Sequence, residues 1–177
     1  MYFSAFEKGE YDIKGDGNFK FVTDILTRVK VKAGVDDDAF IYDKYTVPSG
    51  DSPEDVSYFH FRDPQYHWVI MLTNRIQDRY YDWPMDPITF ELFLEDKYPN
   101  PNGVHHYEID KDSGITKAQG PADYSHKIQV SSDIVGAVAV TNREYEEREQ
   151  DKKRQIKLLN PNYLPVLLKE FDRIMKI

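Results

Sequence analysis

The stretch YTVPSGDSP at residues 45–53 holds the signals of a strand, a turn and a helix start in immediate succession. The aromatic alternation that begins at Phe40 and runs into this stretch predicts a strand. Gly50 supplies a backbone that turns without steric cost. Ser52 can cap a helix whose first position is Pro53, where a missing backbone N–H removes no hydrogen bond. A strand followed by a capped helix is therefore predicted for the central part of the fold.

Two further capping side chains precede prolines, at Asp63-Pro64 and Asp86-Pro87. Each carboxylate can accept an N–H of the first helical turn, so each pair marks a helix start. On this basis we predict helices over residues 53–61, 64–74 and 87–98. A run rich in proline, asparagine and glycine follows the third helix and predicts its end.

Elements outside this centre have weaker signals. On the N-terminal side, Phe21, Ile25 and Val29 fit a helical stripe, which predicts a short helix running into an extended segment within residues 19–32. The alternation that follows from Val29 could instead mark a strand. Toward the C-terminus, the pattern predicts strands over 104–110, 115–117, 127–130 and 135–140 and helices over 142–159 and 162–177.

The predicted helix over residues 142–159 is unusually charged. Acidic side chains crowd its start and basic ones its end, which complements the helix dipole. Glu144 and Arg148 are four positions apart and can form an ion pair on one face. Because its apolar face is thin, this helix is predicted to project into solvent or to dock on another protein.

Together these elements predict an α+β fold. Charge and pattern change along the chain, and we place segment borders where they change. The four predicted segments are an extended or helical N-terminal arm over 1–44, a central module over 45–87, a helix with a β-hairpin region over 88–140, and a C-terminal helical segment over 141–177. Residues 45–103 hold 10 acidic and 4 basic side chains and so carry most of the net charge of -8.

The composition argues against several classes of protein. The 177 residues include no cysteine, so the chain can form neither a disulfide framework nor a thiolate metal site. A net charge of -8 argues against a nucleic-acid-binding surface. The longest apolar run, Trp68 to Leu72, is too short to cross a membrane, and the N-terminal residues lack the pattern of a signal peptide. We therefore expect a protein that is made and kept in a cytoplasm.

The sequence offers no motif for catalysis or cofactor binding. His105 and His106 lie near Glu108 and Asp110, but adjacent residues of a strand point to opposite faces, so we favour an ordinary hairpin over a metal site. A nucleophile elbow of the Gly-x-Ser-x-Gly type does not occur. We expect no enzyme activity, no catalytic residue, no metal and no cofactor.

The cluster YYDWP at residues 80–84 is the strongest candidate for a binding surface. It can form a buried corner between helices or an exposed anchor for a partner, since Trp and Tyr dominate binding hot spots. Both roles can hold together. With the C-terminal helices included, the predicted partner-binding residues are Tyr80, Tyr81, Trp83, Tyr145, Arg148, Arg154 and Phe171.

The start of the central module resembles a LysM module, a small βααβ unit. The resemblance implies a module over residues 45–87. After the second helix the sequence departs from the family pattern, because residues 77–84 replace the glycine-containing approach to the last strand. Since LysM modules bind glycans, the resemblance implies binding of peptidoglycan or a related glycan as an alternative function. The residues that carry it are Tyr45, Val47, Gly50, Asp51, Ser52 and Asn74.

A second resemblance covers nearly the whole chain. Its separate motifs lie at residues 11–13, 22–29, 42–45, 63–64, 67–70, 80–84, 105–108 and 153–161. In content and order they resemble the baseplate wedge protein 53 family of contractile-tailed phages of the T-even type. This resemblance implies a structural virion protein that joins baseplate wedges to each other around the hub, in multiple copies. The implied partners are the inner-ring wedge core proteins and the sheath-like wedge protein, with no nucleic acid and no membrane.

Overall fold

The computed structural model describes residues 2–27, 29–31, 40–110 and 127–175. The chain divides into two compact units. Unit 1 consists of Met1–Pro84 and Lys153–Ile177, and unit 2 consists of Met85–Lys152. Both units combine helices with small antiparallel sheets, which confirms the predicted α+β class. Unit 2 is thus an insertion in the sequence of unit 1.

The helices and strands are short and are numbered in chain order. They are β1 (Lys8–Tyr11), β2 (Lys20–Thr23), β3 (Tyr42–Thr46), α1 (Pro53–Phe61), α2 (His67–Thr73), α3 (Pro87–Lys97), β4 (Val104–Asp110), β5 (Lys127–Val130), β6 (Val138–Thr141), α4 (Asn142–Arg154), β7 (Gln155–Leu159) and α5 (Leu164–Ile174). Short 3-10 turns occur at Tyr2–Ala5, Pro64–Tyr66 and Pro161–Tyr163.

The three capped starts determine the helices near the centre of the chain. Before α1, the Ser52 hydroxyl accepts the N–H of Asp55, and the Asp55 carboxylate accepts the N–H of Ser52. Asp63 caps the 3-10 turn that leads into α2, and Asp86 accepts two N–H groups in the first turn of α3. The three predicted helices are therefore confirmed, with a 3-10 turn at the start of the second.

β3 pairs with a strand from the far end of the chain. β7 lies antiparallel to it, with Thr46 opposite Gln155. The prediction of a single helix over residues 142–159 is wrong at its C-terminal end, where α4 stops and β7 begins. Ile156 and Leu158 are buried in unit 1, and the apolar burial gained by pairing outweighs the local helix propensity.

The same pairing changes the expected central module. Within residues 45–87 the chain forms the end of β3, then α1 and α2 in the predicted order, but residues 77–84 form a turn where a closing strand was expected. β7 takes the place of that strand. The two strands and two helices thus come from two parts of the chain that unit 2 separates in sequence.

Unit 1 has two apolar clusters. α2 and β7 contribute to both, so they join the clusters into one interior. The first cluster contains Phe6, Tyr42, Trp68, Val69, Leu159, Leu164, Phe171 and Met175. The second contains Val47, Val56, Ile70, Trp83, Ile156 and Leu158.

Residues 20–23 form a strand, so the helix predicted within residues 19–32 is wrong there. β2 pairs with β1 in an antiparallel hairpin, with Glu10 opposite Phe21. The β-branched residues Val22 and Thr23 favour an extended backbone, and pairing with β1 stabilises that conformation. Residues 29–31 have no regular structure, and the rest of the alternative strand lies outside the described residues.

Unit 2 contains a three-stranded antiparallel sheet together with α3 and α4. Its strand order is β5–β4–β6. The predicted strands over 104–110 and 127–130 are confirmed, and β6 begins three residues later than predicted. The predicted strand over 115–117 lies outside the described residues. The buried side chains in the described part of unit 2 are Leu94, Val140, Glu108, Glu146 and Gln150.

Candidate partner-binding surfaces

The turn over residues 77–83 is held by its own aspartates. Asp82 accepts the backbone N–H groups of Gln77 and Asp78, both at 2.9 Å. Asp78 accepts the N–H of Tyr80 at 2.7 Å. The bonds to Asp82, first that from Asp78, stabilise its carboxylate and lower its pKa. The turn therefore has a fixed backbone and keeps its negative charge at neutral pH.

The turn separates its aromatic side chains by exposure. Tyr80 is 80% exposed and Tyr81 is 66% exposed, whereas Trp83 is only 5% exposed. The Trp83 indole packs in the second apolar cluster and donates its Nε1–H to the carbonyl of Asp51 at 2.8 Å. Trp83 thus forms a corner of the core, and the two tyrosine rings project from it. Partner binding by these residues stays a prediction.

Two contacts within unit 1 flank this turn. Arg79 forms an ion pair with Glu54 of α1 at 2.7 Å. Lys153 donates a hydrogen bond to the carbonyl of Tyr81. Both contacts fix the backbone that carries the tyrosines, and a surface that is ordered in advance loses less conformational entropy when it binds.

The residues of the LysM-like motif build the corner between β3 and α1. Tyr45 lies opposite Ile156 of β7, and Val47 is buried in the second apolar cluster. Gly50 has a φ of 88°, a backbone conformation that favours glycine. Ser52 caps α1 as described above. Every one of these positions has a structural role in unit 1.

Asn74 takes the place of a neighbouring strand on the outer edge of β7. Its amide nitrogen donates to the carbonyl of Lys157 at 2.8 Å, and its amide oxygen accepts the Lys157 N–H at 2.9 Å. On the same edge, Nε2 of His60 lies 2.8 Å from the carbonyl oxygen of Leu159. Side chains thus satisfy main-chain groups that would otherwise need a further strand. Whether this unit is a LysM module stays a prediction.

Arg148 is held inside unit 2 by carboxylates. Its guanidinium donates to both oxygens of the buried Glu108, at 2.8 and 3.1 Å. It also binds Glu144, which confirms the predicted pair on α4. Lys127 and His106 face Glu108 at 3.8 and 3.7 Å. The hydrogen bonds from Arg148 keep the pKa of Glu108 below its ordinary value.

The other three predicted partner-binding residues also make contacts within the chain. Tyr145 stacks on His105 with ring centroids 4.0 Å apart. The carbonyl of Arg154 accepts the N–H of Val47 at 2.9 Å. Phe171 is buried in the first apolar cluster. The contacts of Tyr145 and Phe171 account for those two side chains structurally, whereas the contact of Arg154 involves its main chain alone. Partner binding by all three residues stays a prediction.

Sequence reasoning missed two exposed apolar surfaces. On the β1–β2 hairpin, Phe21 is 72% exposed, and on α1 the rings of Tyr58 and Phe59 are exposed. The hairpin had a signal: the β-branched residues after Phe21 and the glycine-rich turn before it. In that turn, Asp12 accepts the N–H groups of Gly15 and Gly17, both at 2.7 Å.

The described residues form neither a metal-binding cluster nor a membrane-spanning helix. Across residues 2–27, 29–31, 40–110 and 127–175, no three histidine or acidic side chains come together to hold a metal ion. Within that described part of the chain, no helix has the length and apolarity needed to cross a membrane.

Comparison with known proteins gives a family assignment for the N-terminal half. A family model described as base plate wedge protein 53 matches residues 1–89. The match covers half of the chain, and it includes β1 through α2, the turn that carries Tyr80 and Tyr81, and the first residues of α3. A search of the curated proteins finds no match.

Proposed function

The chain belongs to the base plate wedge protein 53 family, and we propose from this premise that it clamps neighbouring wedges together around the baseplate hub. As a member of this family it is a structural virion protein of the phage tail baseplate and interacts with other baseplate proteins. The observation that carries the proposal is the match over residues 1–89, which includes the fixed turn with Tyr80 and Tyr81.

A clamp needs a surface that is rigid before it binds. The turn over residues 77–83 presents Tyr80 and Tyr81 on a backbone that Asp78 and Asp82 hold. Tyrosine offers a large contact area at a low cost in conformational entropy, and it is enriched in binding hot spots. In the proposal, the two rings enter a complementary pocket of a neighbouring wedge protein.

A clamp also needs a second surface, which the proposal assigns to unit 2. The exposed side of α4 carries Glu147, Asp151 and Lys152. Charged side chains at the rim of an interface give specificity and faster association more than affinity. A charged second contact would therefore select the correct neighbour, while the tyrosines of unit 1 supply most of the binding free energy.

The proposed partners are the inner-ring wedge core proteins and the sheath-like wedge protein. Several copies of the chain would occupy equivalent positions in the symmetric baseplate, where one contact is repeated and its effect multiplied. The net charge of -8 complements a basic partner surface. Assembly is proposed to take place in the host cytoplasm, and the proposal assigns no catalytic step to the chain.

Glycan binding is the alternative that the LysM-like motif suggests. In this chain Val47, Gly50 and Ser52 build the corner between β3 and α1, and Asn74 binds the edge of β7. Because these roles are structural, they give no separate argument for a sugar site. Retention of the folded protein on purified peptidoglycan would be the result that favours the alternative.

The test of the clamp is binding to the purified wedge subcomplex of the same phage. The double substitution Tyr80→Ala and Tyr81→Ala removes two exposed rings, so we expect stability to change by less than about 0.5 kcal/mol. Affinity for the subcomplex should fall by at least about tenfold.

The matched control is the pair Tyr58→Ala and Phe59→Ala, which removes two exposed rings from α1 of the same unit. We expect its affinity to stay within about twofold of the unchanged protein. An equal loss for both double variants, or no loss for the first, contradicts the role assigned to the turn.

A further inference from the structure

The β1–β2 hairpin is exposed on both faces. Of its eight strand residues, only Thr23 is partly covered, and the apolar rings of Tyr11 and Phe21 lie on opposite faces. A two-stranded hairpin is marginally stable by itself in water, and a third strand or an apolar cover is needed to stabilise it. Among the described residues, neither β1 nor β2 pairs with any other strand.

The register shows which main-chain groups of the hairpin point outward. The N–H of Asp24 donates to the carbonyl of Glu7 at 2.9 Å. Hydrogen-bonded and non-hydrogen-bonded pairs alternate in an antiparallel ladder. The adjacent pair, Lys8 with Thr23, is therefore non-hydrogen-bonded, and its N–H and C=O groups face away from the hairpin. Two positions further along, Glu10 and Phe21 form another non-hydrogen-bonded pair, and its N–H and C=O groups also face outward.

The two outer edges differ in their side chains. The outward groups of β1 belong to Lys8 and Glu10, and the glycine between them weakens the strand. Charged side chains on an edge are a common protection against strand addition. The outward groups of β2 belong to Phe21 and Thr23, with Val22 between them, and these residue types favour extended pairing. The edge of β2 is therefore the receptive one.

The outer edge of β7 is blocked by side chains and so differs from the edge of β2. The amide of Asn74 and the ring of His60 occupy its outward main-chain groups. In the described ranges, the side chains that flank β2, such as those of Asp16 and Asp24, bond within their own turns, and none makes a corresponding hydrogen bond to the outward groups of Phe21 and Thr23. The difference suggests that the edge of β2 is left for a partner.

We propose that the outer edge of β2 accepts an extended strand of another baseplate protein, which adds to the hairpin as a third strand. Main-chain hydrogen bonds to Phe21 and Thr23 give the affinity. The partner strand places an apolar residue beside Phe21 and a carboxylate beside Lys20, because cross-strand neighbours of these types stabilise a sheet. The inference rests on the proposed function only for the class of partner, and it uses other residues than Tyr80 and Tyr81.

The test compares two proline substitutions in one residue pair. Thr23→Pro and Lys8→Pro each remove one outward N–H, so both keep the hydrogen bonds inside the hairpin, and proline is tolerated on strand edges. Binding to each purified wedge protein of the same phage is measured by titration calorimetry. Thr23→Pro should weaken binding to one partner by at least about tenfold, and Lys8→Pro should stay within about twofold.

The same titrations include the variant that carries Tyr80→Ala and Tyr81→Ala. Four outcomes then distinguish strand addition from the clamp. Loss with Thr23→Pro alone supports the strand-addition proposal. Equal loss with both proline variants overturns it, since hairpin integrity would then explain the effect. Normal binding by Thr23→Pro with loss by the tyrosine variant overturns strand addition and keeps the clamp. Failure of the unchanged protein to bind any wedge protein overturns both strand addition and the clamp.

Discussion

The two units of this chain are stabilised by different interactions. Unit 1 buries two connected clusters of aliphatic and aromatic side chains. In the described part of unit 2, Leu94 and Val140 are the fully buried hydrophobic side chains, and they share the interior with Glu108, Glu146 and Gln150. Each of these three polar residues has a charged or main-chain partner within unit 2.

The difference indicates how each unit responds to change. Apolar burial is non-directional and involves no titrating group, so unit 1 depends on the volume and shape of its side chains. Buried carboxylates must keep their partners and their charge, so unit 2 depends on specific contacts and on ionisation. A rigid apolar unit is suited to hold the tyrosine turn in place.

The largest expected effect comes from the apolar core of unit 1. Phe171→Ala removes a buried ring whose centroid lies 4.7 Å from that of Trp68. We expect the free energy of unfolding of unit 1 to fall by about 3–5 kcal/mol. Both tryptophans of the chain lie in unit 1, so tryptophan fluorescence in a denaturant titration reports that unit. Val166→Ala, an exposed change on the same helix, should cost less than about 0.5 kcal/mol. Hydrogen exchange in β4 measures the stability of unit 2. If Phe171→Ala lowered that stability as much as it lowers the free energy of unfolding of unit 1, the two units would not unfold independently.

A smaller effect is expected from the ion pair of unit 2. Arg148→Met leaves Glu108 buried with fewer cations and should cost about 2–3 kcal/mol, below the value for a fully buried pair because Lys127 still faces the carboxylate. The control Arg143→Met removes the exposed pair with Glu91, which solvent screens, and should cost much less than Arg148→Met. Amide hydrogen exchange in β4 measures both. If the two variants lost similar amounts of stability, the buried ion pair would not stabilise unit 2 more than an exposed pair does, and the proposed difference between the units would be wrong.

Asn74 makes polar contacts within unit 1, so its substitution tests whether apolar packing alone stabilises that unit. Asn74→Ala leaves both main-chain groups of Lys157 without their partner and should destabilise unit 1 by about 1–3 kcal/mol. Asn74→Asp keeps an acceptor for the N–H and loses the donor, so its effect should be intermediate. The fluorescence transition in denaturant is the measurement. An unchanged midpoint for the alanine variant would show that apolar packing alone holds β7.

pH should affect the units differently, and this is the smallest expected effect. The folded-state pKa of Glu108 lies below its ordinary value of 4.5, chiefly because of hydrogen bonds from Arg148. Its contribution to stability is complete above that value and is lost as the pH falls through the lower folded pKa. The carboxylates of unit 1 with lowered pKa, such as Asp82, lie near the surface and contribute less.

Hydrogen exchange in β4 as the pH is lowered from about 6 to about 3 tests this expectation. Protection in β4 should decrease before tryptophan fluorescence reports any change in unit 1. Glu108→Gln should be less stable at neutral pH and show a flatter dependence on pH. A steep loss that persists in Glu108→Gln would assign the acid sensitivity to other groups.

Local signals predicted much of this fold. Ser52, Asp63 and Asp86 cap their helices through hydrogen bonds to residues two or three positions away, so the sequence contains both partners. The strands β4 and β5 were predicted for the same reason, since alternation is a local property. The α+β class follows from these elements.

Pairing across long separations could not be predicted in this way. β7 continues a strongly helical segment, and only its pairing with β3, with Thr46 and Gln155 109 positions apart, makes it a strand. Arg148 was recognised through its neighbour on α4, but Glu108 lies 40 positions away. At the candidate site the sequence identified the aromatic cluster, and tertiary structure separated buried Trp83 from exposed Tyr80.

A reconstruction of the assembled baseplate tests the central claim most directly. The account predicts that each copy of this chain contacts at least two different protein chains, with Tyr80 and Tyr81 inside one of the contacts. A reconstruction in which the chain has a single neighbour, and in which both tyrosines lie in free solvent, would contradict it.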